Sequence, residues 1–347
     1  MVSPRRLTAL FTVLALQPPA AMATSTMVER FDEAVARLAP VAGPSSAGVP
    51  RVTRSAADFS VERRLNIRLD FPGAVQGAMY EGLLNGETAV FTRADDYLDA
   101  TVMRNGEPEV VSFNAETDGP SSSGESEGLE GSRSRPPRSV GPGHFEDPGA
   151  YFLHLTFVKH DDLADRSARE LHGLYVAWWL ADMARRVLPV EPLHASYMEL
   201  TPLLTSVAYG DARALHTFEG TLKALQYSLG THVDRTYKHK FVLLTANPPM
   251  PGTAGVAFEG GNEAIASVSG RTRIVAHEIG HMLGATHENA ETRGWWGCET
   301  NMLAGSLRWR NDCLEYSEAN RRAMRSYMRH GPDTVAARKM VDGPEAP

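Results

Sequence analysis

The stretch that most restricts how this chain can fold is His277-Glu278-Ile279-Gly280-His281-Met282-Leu283-Gly284-Ala285-Thr286-His287. Residues four apart on a helix are neighbours on one face, so His277 and His281 can hold one metal ion together. Glu278 sits beside them, where a carboxylate can reach a water on that ion. Ile274, Val275, Met282 and Leu283 give the helix an apolar surface to pack into a core. Gly284 falls where the helix should stop, because glycine readily takes the left-handed conformation that ends helices. The chain can then turn back and bring His287 to the same ion. Three neutral imidazoles leave a fourth position open for water, the arrangement of a catalytic zinc site. A bare HExxH pair arises by chance, but the terminating glycine and the third histidine are independent of it and make the longer pattern specific.

The remaining composition is that of an ordinary globular protein: 347 residues, 42% hydrophobic and 22% charged. This is enough chain for one large domain or two modest ones. A net charge of −7 argues against a nucleic-acid binder. No run of 18 or more apolar residues occurs, so no membrane-spanning helix is expected. The first 23 residues read as a signal peptide. Arg5 and Arg6 precede the apolar run Leu7–Leu16, and Ala21-Met22-Ala23 is a small-x-small site with cleavage expected after Ala23. The expected location is therefore secreted, extracellular or periplasmic. In such an oxidising compartment Cys298 and Cys313 can pair, closing a loop of 16 residues counting both ends. A loop of that size is worth about 3 kcal/mol, mainly through the unfolded state.

Low complexity divides the chain. In Asp118–Gly143, 17 of 26 residues are Gly, Pro or Ser, too polar to offset the entropy of ordering. Residues 118–147 are expected to be a flexible linker, and Arg133, Arg135 and Arg138 offer an activating protease places to cut. Before it, Met27–Ala39 reads as an amphipathic helix, and Val61–Asn114 alternates in short runs joined at Asn85-Gly86 and Asn105-Gly106, both hairpin signals. Residues 24–117 are thus expected to be a β-rich prodomain. After the linker, strand-like Tyr151–Val158, Leu193–Leu204, Phe241–Thr245 and Gly255–Ser269 alternate with helical Ser167–Val187 and Asp211–Leu229. That alternation predicts an α/β fold with a twisted mixed sheet over 148–330, and residues 331–347 read as a loose polar tail. His144, His154, His160 and His172 are spaced wrongly for a zinc finger and read as exposed or strand histidines. Trp178-Trp179 reads as core, and Trp295-Trp296 favours core over substrate contact.

HEIGHMLGATH matches the HExxHxxGxxH signature of the metzincins, and the order of elements from about Tyr151 to Met328 resembles that clan of zinc endopeptidases. The resemblance implies a zincin-like α+β catalytic domain with an active-site helix, a zinc cleft and a small C-terminal subdomain. It makes His277, His281 and His287 the ligands of one Zn2+ and Glu278 the general base. It implies that Met302, 15 residues past His287, lies on a tight turn beneath the metal. It also implies a protein or peptide substrate bound as an added strand on a sheet edge, here Gly255, Val256, Ala257 and Phe258. Glu288 follows the third histidine as in astacins, but Ala304 stands where astacins carry tyrosine, and HEIGHMLG is closer to reprolysin-like and bacterial secreted groups. No cysteine lies between Ala23 and Cys298, so latency cannot use a thiolate. A prodomain that inhibits must then do so sterically or with another ligand, for which Asp95, Asp96 and Asp118 are available. Arg308 and Arg310, after the turn methionine, suggest a preference for acidic side chains. The rival reading is a non-catalytic or toxin-type binding protein that keeps the fold.

Overall fold

The computed structural model describes residues 25–38, 58–114, 117–122, 152–228, 236–294, 297–305, 310–332 and 340–342. The expected signal peptide, most of the expected linker, His144, Trp295-Trp296 and Arg308 lie outside these residues. Helix α1 (Met27–Ala36) starts at a capping box, in which Thr26 Oγ1 accepts from Glu29 N and the Glu29 carboxylate accepts from Thr26 N. A meander follows: β1 (Phe59–Phe71), β2 (Val75–Leu84), β3 (Glu87–Ala94), β4 (Tyr97–Arg104) and β5 (Glu107–Asn114). Its Asn-Gly turns hold both residues at positive φ, 53° and 83° at Asn85-Gly86 and 53° and 82° at Asn105-Gly106, which fits the right-handed twist of the flanking strands.

Strand β6 (Thr117–Ser122) pairs with β5, so the first residues of the expected linker are strand. Backbone pairing on an open edge needs no apolar side chain, and Pro120 is tolerated on an outermost strand. Next among the described residues come β7 (Leu153–Lys159), α2 (Ala168–Tyr175), α3 (Ala177–Asp182), β8 (Leu193–Met198), α4 (Ala214–Ser228), β9 (His239–Thr245), β10 (Gly255–Phe258), β11 (Glu263–Ser267) and α5 (Ile274–Met282). The chain closes with β12 (Cys298–Glu299), β13 (Asn311–Asp312), α6 (Glu318–His330) and β14 (Met340–Asp342). The single helix expected over Ser167–Val187 is broken at Val176 and ends in a π-helical turn, Met183–Val187. There Asp182, buried, meets Arg321 of α6 at 3.1 Å, which ties this turn to the C-terminal helix.

The fold is α/β, and its main sheet runs β14-β10-β11-β9-β7-β8-β1-β2-β3-β4-β5-β6. Strands β11, β9, β7, β8 and β1 are successively parallel, while β10 and β14 at one end and β2 to β6 at the other are antiparallel. The expected boundary between a β-rich module and a catalytic domain is therefore not a boundary in the sheet. Ile67–Asp70 of β1 pairs with Leu193–Ser196 of β8, and Leu65, Ile67, Leu69 and Phe71 share one core with Leu155, Phe157, Trp179 and the apolar residues of α5. The meander curls over α2 and α3, so Gly173 sits against Val110, and Gly106 at the β4–β5 turn abuts the Asn311 side chain.

Two further expectations change. The C-terminal tail is not loose throughout, because Met340–Asp342 forms β14. The edge expected to be open at Gly255–Phe258 is also covered: β14 pairs antiparallel with β10, Val256 facing Asp342, Ala257 facing Val341 and Phe258 facing Met340. An unpaired strand edge is a template for any extended segment within reach, and the chain itself supplies one. His172 is neither exposed nor in a strand. It lies buried in α2, hydrogen-bonded to Tyr197 Oη at 2.6 Å and Thr92 Oγ1 at 3.1 Å. Among the described residues no helix is long and apolar enough to cross a membrane.

Candidate metal centre

Helix α5 is buried on every side, which its sequence permits because Ile274, Val275, Ala276, Ile279 and Met282 leave few polar groups to satisfy. Its end is a Schellman motif: Gly284 N donates to His281 O at 3.1 Å, Ala285 N donates to Gly280 O at 2.8 Å, and Gly284 has φ +80°. The reversal carries His287 back over the helix. His277, His281 and His287 then point their Nε2 atoms at one another, 3.1 Å between the first two and 3.0 Å from each to the third. Among the described residues this is the one group of three that could hold a metal ion.

The protonation chemistry fits a cation. His277 Nδ1 donates to Asn301 O at 2.7 Å, which commits its proton there and leaves a lone pair on Nε2. Burial holds His277 well below the usual imidazole range, with the nearby His281 adding to the shift. Burial, then His287, pushes His281 down to about 3, and burial lowers His287 as well. All three are neutral at neutral pH. Three ligands at 2.0–2.1 Å from a tetrahedral zinc lie about 3.4 Å apart, so the observed spacing needs only a few tenths of an ångström of adjustment.

The supporting residues come from distant parts of the chain. Met302 is fully buried beneath α5, and a Cβ at Gly280 would overlap its Sδ and come within 3.1 Å of Tyr316 Cε1. Only glycine fits at that point of the motif. Tyr316 Oη donates to Ala276 O at 2.6 Å, fixing the helix from the same side. Cys298 and Cys313 are joined in a disulfide that brackets Met302 and holds β12 beside β13. Glu278, completely buried, reaches across to β10, where a Cβ at Gly255 would lie 2.5 Å from its Oε1.

Sequence reasoning passed over three buried groups that hold this arrangement. Arg273 Nη1 donates to Glu299 Oε2 and Asp312 Oδ1, both at 2.8 Å, fastening the start of α5 to the disulfide-bracketed segment. Lys240 Nζ donates to Met282 O at 2.9 Å, Gly261 O at 2.6 Å and Tyr327 Oη at 2.8 Å, placing a cation at the C-terminal end of α5 where the helix dipole favours it. Asn320 grips both backbone groups of Thr286, accepting from its N–H at 2.9 Å and donating to its carbonyl at 3.1 Å, and so sets the approach of His287. The one local signal was a lysine inside the apolar strand HKFVLLT, since a charge in such a run implies a fixed partner. Asp95 and Asp96 lie in the β3–β4 turn, at the opposite end of β4 from the turn that meets Asn311. Arg310 faces the same segment, its carbonyl accepting from Arg271 Nη1 at 3.1 Å.

No protein-family model matches the chain, and no curated protein matches it. Among solved structures the chain is similar to a metalloproteinase-II from Bacteroides fragilis, at 11% identity over 78% of this chain and 86% of that chain, with a TM-score of 0.48. A likeness that distant carries no argument about chemistry, which rests on this chain's own residues.

Proposed function

We propose that the chain is an exported zinc-dependent endopeptidase of the metzincin type. His277, His281 and His287 hold one Zn2+, and Glu278 is the general base. The observation that carries this reading is the convergence of three neutral imidazole nitrogens within 3.1 Å, beside a buried carboxylate on the same helix. When bound, zinc supplies Lewis-acid polarisation of a carbonyl and draws the pKa of water from about 15.7 towards 7. The chain's own groups do the rest. Asn301 O holds the proton on His277 Nδ1 and so keeps Nε2 as a donor to the metal. Glu278 takes the proton from the attacking water and delivers it to the leaving amine. The missing side chain at Gly255 preserves the space that carboxylate occupies. An extended protein or peptide substrate pairs with β10 in the place that β14 holds in this structure.

Export rests on the basic, apolar and small-residue order of residues 1–23, and the Cys298–Cys313 bridge supports an oxidising destination. The chain is made as a precursor cut by an activating protease within 118–147. Because β1 pairs with β8 and shares its core, the N-terminal strands remain docked after that cut.

The test is zinc content together with peptidase activity on a mixed peptide library, for the parent and Glu278→Ala. Both should hold about one zinc per chain, and loss of the general base should lower the rate by about 10²-fold or more. If linker-cleaved parent holds zinc and cuts nothing, a non-catalytic binding protein with this fold replaces the peptidase reading.

A further inference from the structure

Strand β14 lies where a substrate would. It is hydrogen-bonded to the free side of β10, antiparallel, one strand spacing away, or about 4.8 Å. Its direction is set by the register, running from opposite Phe258 at Met340 to opposite Val256 at Asp342, towards the Gly255–Glu278 contact. The segment is also anchored by a side chain. Met340 packs against the apolar cluster that contains Val256, Phe258, Ile265, Leu215 and Phe218. Val341 faces Ala257, which shares with Gly255 the side of β10 turned towards α5. Met340–Asp342 thus occupies the edge in both the ways an extended peptide would, through its backbone and through an apolar residue.

We propose that Met340–Asp342 is a tethered occupant of the peptide-binding edge, which competes with substrate and must leave β10 before an extended peptide can pair there. This rests on the peptidase reading, because it assigns β10 to substrate. The partner that fits the vacated edge is an extended peptide with an apolar residue opposite Phe258. A tethered segment acts at an effective concentration of about 1 mM, so if the free peptide binds at about 0.1 mM the tether weakens an outside peptide about tenfold.

Binding separates this proposal from the peptidase reading because it needs no cutting. In the Glu278→Ala chain, a fluorescein-labelled peptide of residues 337–346 is titrated against the full chain and against a chain ending at Lys339, and read by fluorescence anisotropy. The shortened chain should bind about tenfold more tightly, and its Ala257 amide, which the register turns towards β14, should exchange hydrogen faster than in the full chain. Proline substitutions in the full-length chain guard against a folding defect. Alternate residues of an antiparallel strand direct their N–H groups to the neighbour, so either Val341→Pro or Met340→Pro with Asp342→Pro should reproduce the gain. In the catalytically intact background, the same variants should lower KM for a short peptide about tenfold with kcat unchanged. Equal peptide binding by full and shortened chains, binding by neither, or unchanged amide exchange would overturn the occupant. If instead the shortened chain binds the peptide and no form of the protein cuts any peptide, the occupant stands and the peptidase reading falls.

Discussion

Gly280→Ala sets two effects of opposite sign against each other. Inside a helix, alanine is favoured over glycine by about 0.5–1 kcal/mol, so on propensity alone the variant would be more stable. The new Cβ, however, would overlap Met302 Sδ and lie 3.2 Å from Met302 Cε and 3.1 Å from Tyr316 Cε1. Both partners are completely buried, and Tyr316 is tied to Ala276 O, so neither can swing away into solvent. Overpacking of this kind costs about 1–3 kcal/mol. The contact should therefore win, with a net loss of about 1–2 kcal/mol and a fall in Tm of about 1–3 °C for a chain of this size. A shift of Met302 also moves Asn301, whose carbonyl orients His277, and disturbing such a support lowers metal affinity about 10–100-fold. Thermal unfolding and zinc competition against a chromophoric chelator measure the two consequences. Met302→Ala opens the space, so the double variant should lose less than the sum of the singles, with a coupling of about 0.5–3 kcal/mol. A Gly280→Ala chain with a raised Tm and unchanged zinc affinity would refute the packing argument.

The remaining predictions concern catalysis, pH and the joined sheet. Gly255→Ala should push Glu278 out of place and reduce kcat about 10²-fold at normal zinc content, with steady-state kinetics and metal analysis as the check. His172 has its pKa lowered by burial to about 3, so below about pH 6.5 the unfolded chain takes up a proton that the folded chain refuses. Stability is complete above that pH and falls by up to about 1.4 kcal/mol per unit as pH drops towards 3. His172→Gln should flatten the dependence of the urea midpoint on pH between 6 and 4, and an unchanged slope would exclude His172 as a source. Cleavage within 118–147 should leave two fragments that co-elute in native size-exclusion chromatography and separate in urea.

What was readable in the sequence was local. The helix end at Gly284, the return to His287 and the turns at Asn85-Gly86 and Asn105-Gly106 each depend on a few adjacent residues with special backbone needs. The residues that complete the centre depend on partners far away. Asn320 acts on Thr286 from α6, Arg273 meets Glu299 and Asp312, and Lys240 bridges β9, the end of α5 and α6. None of these has a periodic or motif signature. The β1–β8 pairing was equally silent, because a parallel register leaves no turn to read. The break at Val176 was hidden by the apolar stripe that runs across it, and β14 by its three-residue length inside a polar tail.

The pairing of β1 with β8 also orders events in time. The meander β1 to β5 is built from neighbouring hairpins, so it can form as soon as its residues are available, while the parallel pairings must wait for loop closure over long separations. The nascent sheet then presents one open side at Ile67–Asp70, and Asp70 meets His194, 124 residues further along the chain, only after that segment arrives. Until then the early strands are both a template for β8 and an exposed edge that another chain can join. Folding yield should therefore depend on concentration during refolding in a way that the finished molecule, with β1 enclosed between β2 and β8, does not reveal.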